Sequence, residues 1–180
     1  RCGFCYASDL TFARYSGAQR GAPFYEEWAV MNWETIFSVA NGWAMIGWLA
    51  LVLAPRKPAV LALILYLGVF LLCLAYAVLM GGLMLGWIDG GAAQEGAGFT
   101  SLAGVMALFS GKAGVMVGWL HYLAFDLFVG MWIARDADQK GFSRWLQAPI
   151  LLLTLMAGPV GLLIWLIVRD RRARKLSKAA

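Results

Sequence analysis

Charge is what this chain has least of. Of its 180 residues, 14% are charged and 62% hydrophobic. That is roughly half the charged share of an ordinary soluble domain, and it excludes a water-soluble globular protein. The absences are also local. No charge lies between Thr35 and Pro55, none between Pro58 and Ile88, only Asp126 between Ala113 and Ala134, and none between Trp145 and Val168. A bilayer core takes about 20 apolar residues of helix, so an all-α integral membrane protein with four transmembrane helices is predicted. Histidine is scarcer still, because His121 stands alone. Di-iron membrane oxygenases need many His ligands, and even a two-His, one-carboxylate iron site needs two. Such chemistry is excluded within a single chain, and neither a metal nor another cofactor is implied. The three cysteines add little. Cys2 and Cys5 form a Cys-x-x-Cys without a second pair or a following strand-then-helix pattern, and Cys73 falls in an apolar run as a small hydrophobe.

The two ends differ from the middle. Residues 1–30 are polar, carry Gly17, Gly21 and Pro23, and hold no seven-residue apolar core of the kind a secretory signal needs. The first Met is Met31, directly before the amphipathic opening of the first span, so Met31-Asn32-Trp33-Glu34 reads as a natural beginning. The stretch before it then reads as an extension, disordered or not native. At the other end, residues 169–180 hold six of the fifteen Lys and Arg residues that give the chain its net charge of +5. A basic tail directly after a span is an anchor on anionic headgroups rather than a nucleic-acid site. The bilayer is thus the first expected partner, around a membrane domain of residues 31–168.

Within that domain, the first span is predicted from about Trp33 to Ala54, stopped by the rigid turn Pro55-Arg56-Lys57-Pro58. The second runs from Ala59 to Trp87, longer than a crossing requires. A Gly-rich connection leads to Phe99–Ser110, apolar but too short to span. It is expected to be an interfacial or re-entrant helix capped by Thr100 or Ser101. The third span covers Lys112 or Ala113 to Ala134 and the fourth Trp145 to Val168. Gly82-x-x-x-Gly86 and Gly114-x-x-x-Gly118 offer close helix approach. Gly158-Pro159 should kink the fourth span and free the carbonyl of Leu155, with Thr154 as its new partner. Four crossings leave a conflict, because the loops holding Arg56 and Lys140 then lie opposite the tail and cannot all obey the positive-inside rule; a fifth crossing that includes Phe99–Ser110 would put the tail with the first loop, so the orientation stays open.

Polar groups inside the spans are costly and mark where to look for function. His121 and Asp126 lie near the middle of the third span. At about 100° per residue they point some 140° apart, so each should meet other helices or flank opposite sides of a pocket. Tyr122 and Asp126 share a face, with Trp119 below them. On the first helix Glu34, Ser38, Asn41 and Trp48 form a polar-to-aromatic stripe, and a buried amide such as Asn41 must find partners. These groups serve either as interhelical hydrogen-bond glue or as a site.

Asn-Trp-Glu34-Thr-Ile-Phe-Ser38-Val-Ala-Asn41, Phe99-Thr-Ser-Leu-Ala-Gly104-Val-Met-Ala-Leu-Phe-Ser110, Gly118-Trp-Leu-His121-Tyr-Leu-Ala-Phe-Asp126-Leu-Phe-Val-Gly130 and a Gly-Pro-x-Gly-Leu-Leu turn at Gly158 together resemble the abscisic-acid-deficient-4-like family. The resemblance spans nearly all of residues 31–168. Plant members are plastid membrane proteins needed to make neoxanthin from violaxanthin. No Arg- and Ser-rich, acid-poor transit pattern precedes Met31, which points to a bacterial relative in an inner membrane. The resemblance implies a redox-neutral isomerase of a carotenoid end group. A proton goes to an epoxide oxygen and another leaves the neighbouring polyene carbon, with no electrons exchanged, so a general acid, a general base and an apolar slot suffice. His121 and Asp126 are the expected catalytic pair, supported by Glu34 and Asn41. Trp48, Trp119, Tyr122, Phe125 and Trp132 would line the polyene slot together with Ser38. So small a bundle has little room for a full-length carotenoid, which suggests a homodimer with a slot at its interface. Two other readings stand beside this one. One is a non-catalytic carotenoid- or lipid-binding assembly protein; the other is a small proton-linked transporter, disfavoured by the lack of an inverted repeat.

Overall fold

The computed structural model describes residues 32–88, 90 and 96–179, with side chains to residue 170. The reading of residues 1–30, and of Met31 as a start, lies outside the described residues. Every regular element described is helical. They are α1 (Trp33–Leu53), α2 (Pro58–Met84), α3 (Leu102–Leu108), α4 (Lys112–Gln139), α5 (Arg144–Met156) and α6 (Gly158–Ala179). Three of them, α1, α2 and α4, are long and apolar enough to cross a membrane.

Local chemistry sets the boundaries. Pro58 takes the first position of α2, where a missing N–H costs nothing. Ser101 caps α3, its hydroxyl accepting the Gly104 N–H at 3.0 Å. Within α2 the turns of Ile64–Phe70 widen into a π-helix. There the Trp43 indole of α1 donates to the Leu67 carbonyl at 2.6 Å, tying the widened turns to the neighbouring span.

α4 is the axis of the bundle, with α1, α2, α5 and α6 all packed on it. On its α1 and α2 side, Leu127 fills a hole floored by two glycines. A Cβ at Gly47 would lie 2.8 Å from its Cδ2, and one at Gly68 3.1 Å from the same atom. One turn on, Gly130 takes the ring of Trp48, which is only 2% exposed. The stripe Gly114 and Gly118 admits the close approach expected of it. The partner is the end of α3, which folds onto it with the Leu108 carbonyl at Gly114 and the Phe109 ring at Gly118.

The fourth apolar stretch is not one helix. The backbone breaks at Ala157 (φ −153°, ψ 77°), and the chain turns back on itself. Gly161 lies against the backbone of Thr154, and Trp165 meets Phe142 edge-on at 5.0 Å between ring centres. A continuous helix would hold residues 142 and 165 about 35 Å apart. So α5 and α6 are the antiparallel arms of a hairpin, and the expected fourth spanning helix is replaced by α5, of 13 residues, and the apolar first half of the 22-residue α6. Proline explains the break, since Pro159 cannot donate to the Leu155 carbonyl, while Gly158 and Gly161 let the arms touch. Thr154 does not take the released carbonyl; its hydroxyl donates to Ile150 at 2.8 Å instead.

The open ends of the arms are fastened to α4 and to the α1–α2 loop. The Arg56 guanidinium, 6% exposed, donates to Asp138 at 2.9 Å, to the Gln147 side chain and to the Ala134 carbonyl. Burial pulls its pKa below the ordinary value, and Asp138 opposes that shift. Trp165 donates to Asp136 at 3.0 Å, and Arg169 lies 3.6 Å from the same carboxylate.

A methyl group at position 130 must push against the Trp48 ring. Gly130→Ala is therefore expected to lower unfolding stability by about 1–3 kcal/mol, whereas Gly42→Ala, in the interior of α1 with open space around it, does not lower it and raises it by up to about 1 kcal/mol. Thermal unfolding of both variants in one detergent checks this.

Candidate functional site

The polar groups of α4 divide by face. On the hairpin side, the Tyr122 hydroxyl lies 3.1 Å from the Met156 carbonyl and 3.3 Å from that of Leu155, so it caps the C-terminal end of α5. Asp126, 8% exposed, lies against the first residue of α6. A Cβ at Gly158 would fall 2.0 Å from Oδ1. The Gly158 N–H and the Tyr122 hydroxyl are the polar groups facing this carboxyl. The Tyr122 hydroxyl is bonded to the α5 carbonyls, and Oδ2 of Asp126 is buried without a hydrogen-bond partner. An acid at the start of a helix is favourably placed, since the unpaired N–H groups there carry partial positive charge.

Towards α1 the same face continues as a relay of aromatic and amide groups. Tyr122 stacks on Trp119 at 5.3 Å. The Trp119 indole donates to Asn41 Oδ1 at 3.1 Å, and the Asn41 amide donates to the Phe37 carbonyl at 2.7 Å. Both polar ends of Asn41 are thereby satisfied. Glu34 is exposed near Lys112, 3.7 Å away, and Ser38 is exposed on α1. Trp48 is a core residue with no face left for a ligand, while Trp132 packs beneath Arg169, 5.7 Å from its guanidinium.

His121 is on another face altogether. Its ring stacks on Phe125 at 4.5 Å and faces Tyr76 of α2 at 5.7 Å. Both His121 and Tyr76 line an open cleft of about 800 Å³ between α2, α3 and α4, walled largely by apolar side chains such as Met80, Leu83 and Val117, with Ser110 and glycines in its rim. On the other side of the His121–Phe125 stack a second, wholly apolar hollow of about 420 Å³ continues between α2 and α4, lined by Tyr66, Phe70, Phe125 and Phe128 among others. The cleft lies within one chain, so it does not require a second copy to form its walls.

Of the expected site residues, then, Trp119, Tyr122 and Asp126 lie together on one face of α4, with Asn41 of α1 bonded to Trp119. His121 and Phe125 lie together on another, and Glu34, Ser38 and Trp48 join neither group. Tyr76 was not singled out from the sequence. It lies in a charge-free apolar run, and the signal it offered was a phenol inside a span. Among the described residues no three His, Cys, Asp or Glu side chains are grouped closely enough to hold a metal ion.

Tyr122→Phe strands the carbonyls of Leu155 and Met156 at a helix break. A loss of about 1–2 kcal/mol in unfolding stability is expected, measured against His121→Ala, which removes ring stacking alone and costs less.

No curated protein and no solved structure matches this chain. A family does: the one described as ABA DEFICIENT 4-like matches residues 35–165, from the first turn of α1 to the middle of α6. The match covers the cleft, the relay and the hairpin alike. It links the chain to carotenoid and abscisic acid metabolism at the level of the family and does not bear out a bacterial origin. Three helices fit to cross a bilayer and a family match over most of the length agree: the chain is a membrane protein of the ABA DEFICIENT 4-like family.

Proposed function

We propose that the protein is a redox-neutral isomerase acting on the end group of a carotenoid or xanthophyll, with the His121 cleft as its site. The observation that carries this reading is the place of the one histidine. Its ring opens into an apolar cleft of about 800 Å³, opposite the Tyr76 phenol. A ring-bearing polyene end needs apolar walls and few polar atoms, and an epoxide needs one donor and one acceptor of protons. Neutral His121 takes the proton from the polyene carbon. The Tyr76 hydroxyl supplies one to the epoxide oxygen as the C–O bond opens, and His121 returns its proton to the phenolate. The electron pair of the broken C–H bond becomes the new C=C bond, so atoms and charge balance and the product has the mass of the substrate.

Phe125 carries the ring stack that orients His121, and the polyene continues into the hollow beside it. Asn41, Trp119, Tyr122 and Asp126 hold α1, α4 and the hairpin in register and act as positioning residues. Glu34, exposed beside Lys112 at 3.7 Å, has no part in the cleft.

The protein reconstituted in lipid vesicles with an epoxy-carotenoid is expected to yield an isobaric product. His121→Gln should lower the rate by about 10²-fold or more, the range a positioned acid–base group contributes. Unchanged turnover in His121→Gln would remove the histidine from the mechanism. Pigment that copurifies without conversion would replace the enzyme by a carotenoid-binding or assembly protein.

A further inference from the structure

We propose that the chain crosses the bilayer three times and enters it once more without crossing. Residues 144–168 form a re-entrant hairpin capped at mid-depth by Tyr122 and Asp126, so the basic loops and the basic tail share one membrane face while the His121 cleft opens towards the other.

Length is the first argument. α4 has 28 residues, about 42 Å, enough for the whole hydrocarbon layer and its borders. The hairpin lies along only its second half. Its tip, at Ala157 and Gly158, is level with Tyr122 and Asp126, about 15–21 Å from the start of α4. Its open ends return to Asp136 and Asp138 near the finish of α4. With 13 residues α5 reaches about 20 Å, and the apolar part of α6 before Arg169 is shorter still. Neither arm can cross alone.

The tip is the second argument. A helix break in hydrocarbon exposes carbonyls at one helix end and N–H groups at the next, and each unsatisfied group costs several kcal/mol. Here both ends are met by α4: the hydroxyl of Tyr122 faces the α5 carbonyls and the carboxyl of Asp126 faces the α6 N-terminus. A tip in contact with water would need neither group. This gives the one acid within a span a structural task at the depth where an acid is most costly.

Charge is the third. Arg56, Lys57, Arg135, Lys140 and Arg144, with the six Lys and Arg of residues 169–180, make eleven cations on the hairpin's open side, against Asp136, Asp138 and Asp170. By sequence order the other face receives four cations, Arg1, Arg14, Arg20 and Lys112, against six acids, Asp9, Glu26, Glu27, Glu34, Asp89 and Glu95. Four crossings would split the cations between two faces. The fold-back collects them, and by the positive-inside rule that face is cytoplasmic in a bacterial host. If the isomerase reading also holds, the cleft draws its substrate from the opposite leaflet; that consequence rests on the reading, whereas the topology stands on its own.

The test uses single-cysteine variants in a chain carrying Cys2→Ser, Cys5→Ser and Cys73→Ala, expressed in bacterial cells and treated with a membrane-impermeant maleimide. Thr100→Cys should label in intact cells. Lys57→Cys and Ser177→Cys should label only after the membrane is opened. Labelling of Ser177→Cys together with Thr100→Cys, and apart from Lys57→Cys, overturns the hairpin. Labelling of Lys57→Cys in intact cells overturns the assignment of faces. Alkaline phosphatase fused after Ala180 of the unaltered chain gives an independent reading: it should be inactive, and an active fusion contradicts the proposal. Labelling reports position and not turnover, so its result is distinct from that of the isomerase assay.

Discussion

A helix cannot stop in hydrocarbon unless something takes its unpaired backbone groups, and the arrangement of this bundle follows from how that requirement is met at Ala157. The break leaves carbonyls of Leu155 and Met156 on one side and the Gly158 N–H on the other. One turn of α4 supplies a hydroxyl to the first and a carboxyl to the second. Close approach is needed for both, and the chain provides it by omission. Gly158 lies where any side chain would strike Asp126, and Gly161 where it would strike the backbone of Thr154. Once the tip is fixed, the arms must run back along α4, and Arg56, Gln147, Trp165 and Arg169 close the other end.

The same helix carries two kinds of polar group to two different ends. Facing the hairpin and α1, Tyr122, Trp119 and Asn41 are linked to one another or to backbone and hold helices together. Facing α2, His121 has ring neighbours and space. A group whose bonding is complete can organise a bundle but has nothing left to offer a ligand. An exposed imidazole in an apolar cleft is in the opposite position. This is why the reading of function centres on His121 and Tyr76; Asp126, whose Oδ2 lacks a partner, is buried against Gly158 and lines neither cavity.

Much of this was legible in the sequence. The charge-free runs mark α1, α2 and α4, and the turn at Pro55–Pro58 and the cap at Ser101 fall where turn and capping chemistry put them. The 140° between His121 and Asp126 follows from helix geometry alone. The hairpin was not legible, because the 24 charge-free residues from Trp145 to Val168 have the same composition whether they cross once or go in and come back. Gly158-Pro159 says that the helix bends; only the partners on α4 decide that it reverses. One trace of the reversal was present, in the conflict between the basic tail and the positive-inside rule. Likewise the glycines at 114 and 118 announce a close approach without naming α3 as what approaches, and Tyr76 gains meaning only once α2 is laid beside His121.

The reversal of the chain at Ala157 is the claim on which the cap, the charge asymmetry and the sidedness of the cleft all depend. Spin labels at Ser143 and Asp170, read by pulsed dipolar spectroscopy in lipid, test it directly. A continuous helix would hold these positions about 40 Å apart. The fold-back requires a single distance less than half of that, and a distribution centred near the longer value would contradict the account.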